Sequence, residues 1–480
     1  MAIPSPTQNK VENLYFLGIG GIAMGSVAIA CREQGFTVSG SDSGVYPPMS
    51  TMLEQSGICY AQEYNAEHLL SFKPDVVIVG NAISRGNPTL EAALEANLPL
   101  LSLPELLRWY FLQHRTRIVV TGTHGKTTTT SMITWILRSN GLPVGHLIGG
   151  AVERLGASCS VAPVGGYFVM EGDEYDSAFF DKRSKFLHTM PHLLVITSIE
   201  YDHADIFPSY ESVCSSFEQL VRLVPRNGCI VVSNDDPGAR AIGDRALVPV
   251  IRYGLDDGSH LQSHIINRDE NGTVFSVTER GMSIGTFHLP MHGEHNIRNA
   301  TAAIAIARLV GLDTSQIAHA LQSFTPPKRR FEILCTWRGV TVVDDFAHHP
   351  TAVKATLQSA RDRFPERRII ACFEPRSNTS VRSIFQREFA EALAYANAVV
   401  LCPVYRADRY TPDERLDRVK LQRDLEAQGV PCYQVPDGHQ WSENALEILS
   451  RIISTGDVLI LLSNGNIGGL RQALCPQKAA

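Results

Sequence analysis

The stretch that most constrains this chain is residues 118–130, IVVTGTHGKTTTT, in which β-forming residues lead into a turn bounded by Gly122 and Gly125. Lys126 and Thr127 then open an apolar run with helical spacing. In such a strand–turn–helix unit the backbone N–H groups of the turn and of the helix N-terminus point at a bound anion, and glycine allows its close approach. A lysine reaches the outer phosphates and a hydroxyl binds Mg²⁺. The stretch therefore predicts a nucleoside triphosphate site.

The spacing departs from the usual phosphate-binding pattern at one position, because Val120 stands where the first glycine of G-x-x-x-x-G-K-[ST] is expected. An ordinary strand–turn–helix unit with a surface lysine is the alternative interpretation. Four threonines directly after Gly-Lys favour the phosphate site. We expect Lys126 to supply charge at the γ-phosphate and to pack against little, so that its removal stops turnover and leaves the fold intact.

Length and charge bound the kinds of protein this chain can be. Its 480 residues are too many for one core and suggest three domains of ordinary size. With 44% hydrophobic and 19% charged residues it reads as a globular protein. The net charge of −6 provides no electrostatic footprint for nucleic acid or an anionic membrane, so neither is predicted as a partner.

The sequence also has the features expected of a cytoplasmic protein. Residues 1–10 lack the apolar core of a signal peptide, and no apolar run approaches 18 residues, so we predict no membrane insertion. The ten cysteines lie singly, without a C-x-x-C pair, which indicates neither a zinc knuckle nor a disulfide framework. Reduced thiols in a cytoplasmic protein fit this pattern best.

A glycine-rich segment near the N-terminus, GIGGIAMG at residues 18–25, follows a predicted strand at 14–17 and satisfies the G-x-G-x-x-G/A fingerprint. Asp42 follows the next strand, about where a ribose-binding acid is expected. Strands and helices alternate onward to residue 96, which predicts a parallel sheet. A diphosphate-bearing nucleotide is expected here. The fingerprint alone leaves open NAD, a UDP-sugar, or glycines that serve only helix–strand packing.

Two strands of the middle region are each followed by a cluster of acids. Residues 171–176, EGDEYD, follow a strand at 167–170, and residues 200–205, EYDHAD, follow a strand at 193–197. Four carboxylates in the first cluster imply either a bound cation or an exposed turn. Since ligands bind at the carboxyl edge of an open α/β sheet, we expect His203 of the second cluster to meet metal or phosphate.

Further polar clusters lie toward the C-terminus. Asn296, within HGEHNIRN at 292–299, precedes a small-residue helix and serves either as part of an adenine site or only as a helix cap. Residues 324–331, FTPPKRRF, predict a linker into a third domain. In that domain DDFAHHP at 344–350 and EPRSNT at 374–379 each follow a predicted strand.

Taken together, these motifs resemble the Mur ligases of bacterial cell-wall synthesis. TGTHGKTTT, the two acidic clusters, G-x-H-N-x-x-N, PKRRFE and DDFAHHP occur in the order that this family uses and cover all three domains. GIGGIAMG, SGSD and NAISRGNP look most like members that bind UDP-N-acetylmuramate. DEYDSAFFDKRSKF and FEPRSNT are similar to the murein-recycling members, which attach the tripeptide L-Ala-γ-D-Glu-meso-diaminopimelate.

The resemblance implies ATP-driven amide synthesis, in which the muramate carboxylate is converted to an acyl phosphate that the incoming amine attacks. The implied catalytic residues are Lys126, Glu171, His203 and Arg330, with Mg²⁺ on Thr127, Glu171 and His203. Asn296 is expected to hold adenine, and Arg330 and Asp345 to hold phosphate and ribose. The full expected set for ATP is Gly122, Thr123, His124, Gly125, Lys126, Thr127, Thr128, Asn296, Arg330 and Asp345.

The resemblance also assigns the two other substrates. UDP-N-acetylmuramate is expected on the first domain, at Gly18, Gly20, Gly21, Asp42, Ser84 and Arg85. The cell-wall tripeptide is expected on the third domain, at Arg376, Ser377 and Asn378. A guanidinium suits bidentate recognition of its carboxylates, and an acid or amide suits its ammonium, and residues 374–378 offer both.

The expected fold is α/β in three domains. A Rossmann-like N-terminal domain (1–112) would bind the UDP-sugar, a central P-loop ATPase domain with a parallel sheet (113–326) would bind ATP, and a Rossmann-like C-terminal domain (327–480) would bind the amine substrate. Two alternatives remain. One is a UDP-N-acetylmuramate–L-alanine ligase. The other, of a different class, is an NAD-dependent oxidoreductase or nucleotide sensor, which would explain residues 18–42 and nothing else.

Overall fold

The computed structural model describes residues 11–476. Within them the chain divides into two compact units. Unit 1 comprises residues 11–199, 213–260 and 302–320, and unit 2 comprises residues 200–212, 261–301 and 321–476. The expected absence of a signal peptide concerns residues 1–10, which lie outside the described residues. Among the helices between residues 11 and 476, none is both long and apolar enough to cross a membrane.

The N-terminal part of unit 1 alternates strands and helices. The strands are β1 (Asn13–Leu17), β2 (Thr37–Ser41), β3 (Cys59–Ala61), β4 (Val76–Val79) and β5 (Leu100–Ser102), and the helices are α1 (Ile22–Glu33), α2 (Met49–Gln55), α3 (Ala66–Phe72), α4 (Pro88–Glu95) and α5 (Leu103–Leu106). The strands form a wholly parallel sheet in the order β3-β2-β1-β4-β5. All four residues of β4, VVIV, are buried, as expected for a parallel sheet covered on both faces. The predicted Rossmann-like sheet is confirmed.

The rest of unit 1 carries the phosphate loop. Its strands are β6 (Thr116–Thr121), β7 (Val144–Leu147), β8 (Cys159–Ser160), β9 (Tyr167–Gly172), β10 (Asp176–Ala178), β11 (Asp181–Ser184), β12 (Leu193–Ile196), β13 (Cys229–Ser233) and β14 (Val250–Gly254), and its helices are α6 (Lys126–Ser139), α7 (Tyr210–Val221) and α8 (Pro237–Gly243). The sheet order is β14-β13-β12-β6-β9-β7-β8, with β8 antiparallel, while β10 and β11 form a separate hairpin. Because β6 lies between β12 and β9, the phosphate loop and the first acidic cluster leave the same sheet edge.

Unit 2 begins its sheets with three antiparallel strands. These are β15 (Leu261–Asp269), β16 (Gly272–Glu279) and β17 (Met282–Leu289). The chain continues through α9 (Glu294–Leu309), which begins in unit 2 and ends in unit 1, and α10 (Thr314–Gln322), most of which belongs to unit 1. Helix α9 begins at Glu294, inside the HGEHNIRN segment at residues 292–299.

The C-terminal part of unit 2 is a second α/β sheet. Its strands are β18 (Glu332–Trp337), β19 (Val340–Asp345), β20 (Ile369–Phe373), β21 (Ala398–Leu401), β22 (Cys432–Gln434) and β23 (Val458–Leu462), and its helices are α11 (Pro350–Arg363), α12 (Gln386–Leu393), α13 (Arg418–Ala427), α14 (Trp441–Ile452) and α15 (Leu470–Leu474). The order is β18-β19-β23-β20-β21-β22, and only the edge strand β18 pairs antiparallel. The predicted Rossmann-like C-terminal sheet is confirmed.

Apolar side chains of the central strands point alternately to the two faces of this sheet, and each face packs into a separate hydrophobic core. Ile369, Ala371 and Phe373 of β20 join a buried cluster with α11, α12 and α13, whereas Ile370 and Cys372 join a cluster with α14 and α15. Successive side chains of a strand point to opposite faces, so each apolar run is buried on both. The packing fixes the strand ends, and with them the polar loops that follow β19, β20 and β23.

One expectation about the cysteines was wrong. Cys335 of β18 and Cys475, 140 residues later, form a disulfide, so the ten thiols are not all reduced in this structure. The other eight cysteines are free thiols. No C-x-x-C spacing predicts this pair. The two residues become neighbours only because the segment after α15 packs beside β18.

Candidate functional site

The predicted phosphate loop joins β6 to α6, which confirms the expected strand–turn–helix arrangement, while phosphate binding itself stays a prediction. Gly122 has φ of +130°, and a Cβ there would lie 2.8 Å from the backbone nitrogen of Ser198. Gly125, with φ of +81°, directly precedes α6. Both backbone conformations favour glycine over any residue with a side chain. The first N–H groups of an α-helix have no acceptor within the helix, so this end of α6 suits an anion.

The loop is held by the segment that follows β12. The N–H of Thr123 donates to the carbonyl of Ser198 at 2.9 Å, and the N–H of His124 donates to the Ser198 hydroxyl at 3.1 Å. The hydroxyl of Thr197 donates to the carbonyl of His124 at 2.5 Å. The loop is therefore shaped by an adjacent strand end as well as by its own glycines, while Thr128 is buried within α6.

Lys126 is engaged by a residue that the sequence analysis did not single out. Its Nζ donates to both carboxylate oxygens of Glu174, at 3.0 and 2.9 Å, and to the carbonyl of Gly122 at 2.6 Å. The side chains of Lys126 and Glu174 are only 16% and 3% exposed. Burial opposes the charge of Lys126, but the acids beside it, Glu174 foremost, outweigh burial and raise its pKa. The expectation that Lys126 packs against little was wrong.

Two of the three predicted metal ligands meet in unit 1. The hydroxyl of Thr127 donates to Oε2 of Glu171 at 3.1 Å, and the N–H of Gly149 donates to Oε1 of Glu171 at 2.6 Å. A hydroxyl and a carboxylate are oxygen ligands of the kind that Mg²⁺ prefers. The pair lies at the start of the helix that follows the phosphate loop, so its chemistry fits a magnesium ion bound with phosphate.

In the N-terminal part of unit 1, Asp42 organises the glycine segment. Its carboxylate accepts from the N–H of Gly20 at 2.9 Å and from the N–H of Gly44 at 3.3 Å. The hydroxyl of Tyr64 also donates to it, at 3.4 Å. Burial, and then the charge of Asp42, raise the pKa of Tyr64 to about 12. Asp42 therefore shapes the loop at residues 18–21, and the role of these residues in binding a UDP-sugar stays a prediction.

The other predicted UDP-sugar residues lie at the start of α4. Arg85 forms a bidentate pair with Glu91, with both N–O distances 3.0 Å, and the carbonyl of Ser84 accepts from the N–H of Asn87 at 3.2 Å. The Asn87 side chain caps the helix. The Arg85 guanidinium is well exposed, so its binding role also stays a prediction.

In unit 2, His203 lies in a turn that is held by a loop far away in sequence. His203 has φ of +57°, and its N–H donates to Asp202 at 2.7 Å and to the Thr379 hydroxyl at 3.2 Å. Thr379 in turn donates to Asp202 at 2.5 Å. Burial disfavours the charge of Asp202, but three neighbouring histidines and the Thr379 hydroxyl outweigh it and hold its pKa well below the usual range.

Arg330 lies just before β18, and Asp345 is the last residue of β19. Asp345 is buried and accepts from the N–H of Phe331 at 2.7 Å, the N–H of Ala347 at 2.8 Å and the hydroxyl of Thr356 at 3.2 Å. Burial raises its pKa against the opposing charge of Arg330. The guanidinium of Arg330 lies over the Phe346 ring, 5.1 Å from the centroid. Asp345 therefore fixes the loops on both sides of it, and its contact with ribose stays a prediction.

Asn296 lies in the first turns of α9. Its side-chain amide donates to the carbonyl of His292 at 2.7 Å, and the residue is buried. This bond ties the first turn of α9 to a residue just before the helix, but it is not a helix cap, because a capping side chain accepts from helix N–H groups. Adenine binding by Asn296 stays a prediction.

The loop after β20 carries the predicted amine-binding residues. The N–H groups of Arg376 and Ser377 both donate to the Ser380 hydroxyl at 2.9 Å, and the Asn378 amide donates to Asp205 at 2.8 Å. Glu374, expected as an acid for the substrate ammonium, is instead buried. Its carboxylate accepts from the Ser463 hydroxyl at 2.5 Å and lies 3.4 Å from the Arg376 guanidinium.

Each unit thus brings together part of the predicted set. Unit 1 gathers Lys126, Thr127 and Glu171 at one sheet edge, and unit 2 joins His203 to the loop that holds Asn378. Sequence reasoning missed several partners of the predicted site residues, namely Glu174, Asp202, Thr379, Tyr64, which contacts Asp42, and Tyr405, whose ring contacts the Arg376 guanidinium. Three of them lie inside motifs that were quoted, so proximity to a motif was an available signal, whereas Tyr64 and Tyr405 had none.

Comparison with protein families matches three successive models to this chain. They are described as "Mur ligase family, catalytic domain" at residues 13–115, "Mur ligase middle domain" at 120–307, and "Mur ligase, glutamate ligase domain" at 329–465. The matches confirm an organisation in three domains. The boundaries after residues 112 and 326 stay predictions.

Known proteins similar over nearly the whole length include an Escherichia coli K12 protein named UDP-N-acetylmuramate–L-alanyl-γ-D-glutamyl-meso-2,6-diaminoheptandioate ligase. It is 39% identical over 96% of this chain and 97% of its own. A solved murein peptide ligase from Psychrobacter arcticus 273-4 has a TM-score of 0.72 and 33% identity, covering 96% of this chain and 98% of that one. A UDP-N-acetylmuramate–alanine ligase structure from Thermotoga maritima has a TM-score of 0.78 and 25% identity, covering 97% and 98%.

Proposed function

Because this chain belongs to the Mur ligase family, we propose that it joins the tripeptide L-Ala-γ-D-Glu-meso-diaminopimelate to UDP-N-acetylmuramate at the expense of ATP. The observation that carries the reaction type is Lys126, held at the start of α6 by Glu174 beside the Thr127–Glu171 pair. A fixed cation at the N-terminus of a helix suits the transfer of a phosphoryl group.

The reaction runs in two steps. A carboxylate oxygen of the muramate lactyl group attacks the γ-phosphorus of ATP, the bond to the β-γ bridging oxygen breaks, and an acyl phosphate and ADP form. The peptide amine then attacks the acyl carbon, the carbon–oxygen bond to phosphate breaks, and the amine proton is lost. Inorganic phosphate leaves and an amide remains. Activation is needed because a free carboxylate does not react with an amine.

The residues of unit 1 can offset the electrostatic repulsion between the two reactants of the first step. A carboxylate and a triphosphate repel each other, so cations must neutralise the transferring group. Lys126 contributes one charge, and the N–H groups around Gly125 contribute dipoles. Mg²⁺ bound by Thr127 and Glu171 would neutralise phosphate charge in the same place. We assign His203 to a further Mg²⁺ contact, Asn296 to adenine, and Arg330 and Asp345 to phosphate and ribose.

The choice of peptide rather than L-alanine rests on sequence more than on shape. The E. coli relative named for the peptide is 39% identical, against 33% for an L-alanine ligase from Psychrobacter cryohalolentis. Shape does not support the peptide ligase, because the solved L-alanine ligase from T. maritima has the higher TM-score of the two structures compared. The L-alanine ligase therefore stays the second candidate.

The test is phosphate release from ATP with UDP-N-acetylmuramate and either the tripeptide or L-alanine. We expect release with the tripeptide and little with L-alanine, and none when either the muramate or the amine is left out. A preference for L-alanine would overturn the substrate assignment. Phosphate release independent of both acceptors, or NAD reduction in place of it, would overturn the ligase assignment itself.

A further inference from the structure

We propose that Tyr405 and Arg406 complete a carboxylate receptor around Arg376, and that Tyr405 is a specificity-determining residue for a peptide over a free amino acid. The inference rests on the proposed function and adds two residues that no sequence motif indicated. It names the ligand group as a carboxylate of the diaminopimelate residue.

The central observation is the position of the Arg376 guanidinium on the Tyr405 ring. Its Cζ lies 4.0 Å from the ring centroid, which is a contact distance for a guanidinium on an aromatic face. A second guanidinium, that of Arg406, lies 5.1 Å from the same centroid. An aromatic face satisfies the charge of a guanidinium without using its N–H groups. One N–H of Arg376 faces Glu374 at 3.4 Å, and the remaining N–H groups can donate to a ligand.

The stack is held by the loops that carry it. The N–H of Tyr405 donates to the carbonyl of Pro375 at 3.0 Å, which ties the loop after β21 to the loop after β20. Arg376 is tethered through its own N–H to Ser380 and through its guanidinium to the buried Glu374. A side chain fixed at both ends loses less conformational entropy when a ligand binds.

The other side of Arg376 is shaped by a glycine. A Cβ on Gly465 would overlap the Nε, Cδ and Cζ atoms of Arg376. The guanidinium therefore fills the space that a side chain at position 465 would take, between Tyr405 and the loop after β23. This close fit fixes one rotamer of Arg376, whose side chain is still 28% exposed.

The charge balance leaves the receptor positive. The carboxylate of Glu374 neutralises the charge of the Arg376 guanidinium, and the exposed guanidinium of Arg406 adds a further positive charge. A fork of N–H donors with net positive charge is the arrangement that binds a carboxylate bidentately.

The chemistry of the substrates explains why this receptor would discriminate. L-Alanine has a single carboxylate, adjacent to the amine that must reach the acyl phosphate. The tripeptide presents the same kind of amine, and its diaminopimelate carboxylates lie two residues farther along. A receptor that reads those carboxylates can lower KM for the peptide and cannot do so for alanine.

The experiment compares Tyr405→Leu with Tyr405→Phe, which keeps the aromatic face. We expect Tyr405→Leu to raise KM for the tripeptide roughly tenfold with kcat changed by less than about twofold, and Tyr405→Phe to stay close to wild type. Arg406→Gln should raise the same KM by a smaller factor.

A modified ligand identifies the group that is read. With a tripeptide whose diaminopimelate carboxylates are amidated, wild type should show the raised KM, and Tyr405→Leu should raise it no further. An unchanged KM in Tyr405→Leu, or a full additional loss with the amidated peptide, would overturn the inference.

Calorimetric titration of the tripeptide, which needs no turnover, separates this inference from the proposed function. Binding by wild type that weakens in Tyr405→Leu, without ligation by either protein, would refute the proposed reaction and keep the receptor. Ligation by wild type with equal binding by both proteins would refute the receptor and keep the reaction. Absence of binding and ligation would refute both.

Discussion

The hydroxyl of Thr379 donates a 2.5 Å hydrogen bond to the buried carboxylate of Asp202, 177 residues earlier in the chain. The same hydroxyl accepts from the N–H of His203, and the neighbouring Asn378 donates to Asp205. The loop after β20 therefore holds the turn that carries His203. Since Arg376 belongs to that loop, one short segment carries part of the proposed peptide receptor and also holds the turn of the proposed metal ligand.

We predict that Thr379→Val destabilises unit 2 and weakens the response to Mg²⁺. A buried carboxylate that loses its donor costs about 1–3 kcal/mol, and each kcal/mol lowers Tm by roughly 2–4 °C in domains of 150–250 residues. The His203 turn should loosen, so that more Mg²⁺ is needed for half-maximal activity. Thermal unfolding and a Mg²⁺ titration of activity measure the two effects.

Thr379→Ser is the matched control, because it keeps the hydroxyl and removes only a methyl group. It should restore most of the Tm and the wild-type Mg²⁺ requirement. A Thr379→Val variant that loses Tm with an unchanged Mg²⁺ requirement would show that the bond is structural and does not position His203.

We predict that Lys126→Ala loses stability as well as turnover. Without the lysine, Glu174 is left as a buried carboxylate without its cation, a situation that typically costs about 3–5 kcal/mol. The double variant Lys126→Ala/Glu174→Gln removes the charge that was left behind. It should recover most of the lost Tm and remain inactive in phosphate release.

This pair of variants separates chemistry from folding. If the double variant regained activity along with stability, Lys126 would have no part in phosphoryl transfer. If the single variant kept the wild-type Tm, the pair with Glu174 would contribute nothing to the fold, as first expected for Lys126.

We predict that Gly465→Ala displaces the Arg376 side chain and leaves the fold intact. The three atoms nearest the new Cβ belong to the flexible end of the Arg376 side chain, which can move while the backbone stays in place. KM for the tripeptide should rise several-fold, up to roughly tenfold, and Tm should fall because the buried carboxylate of Glu374 loses its contact with the guanidinium. Steady-state kinetics with the tripeptide and thermal unfolding check the two effects.

The control is the same substitution in an Arg376→Ala background. With no guanidinium to displace, Gly465→Ala should raise KM no further, since residues that act through one contact are not additive. Additive losses would mean that Gly465 acts on the peptide by another route.

We predict that His146 makes stability fall as pH falls from neutral. Burial lowers the pKa of His146 from 6.5 to about 4. Its Nε2 contacts the carbonyl of Ala157 at 2.8 Å, and the Ser160 hydroxyl contacts Nδ1 at 3.0 Å, which suits the neutral ring. Between these two pKa values the unfolded chain binds a proton that the folded chain does not, so unfolding becomes easier as pH decreases.

The shift corresponds to a loss on the order of 3 kcal/mol between pH 7.5 and pH 4. His146→Gln removes the titrating group and keeps polar atoms at the site. Its Tm should fall less steeply than the wild type's over that range, whatever its value at pH 7.5. Parallel Tm–pH curves for the two proteins would contradict the assignment.

The sequence by itself determined the parts of this protein that depend on neighbours along the chain. Backbone freedom at Gly122 and Gly125 and the hydroxyl run after Lys126 specify a phosphate loop within a dozen residues. Fully apolar strands such as β4 and β20 specify parallel sheets buried on both faces. These features are local, because dihedral preferences and side-chain periodicity are set within a few residues. The order of such motifs was enough to identify the family.

Only the tertiary structure decided which side chains meet across long separations. Glu174 reaches Lys126, and Tyr405 reaches Arg376, because strand order places the loops of each pair at one sheet edge. Thr379 reaches Asp202 although the two residues follow strands of different sheets. The disulfide between Cys335 and Cys475 has the same origin. Strand order results from packing the whole core, in which many distant apolar contacts contribute together, so no short pattern encodes it. A motif can therefore identify the residue that does the chemistry, whereas the partners that fix its charge and rotamer emerge only in the folded chain.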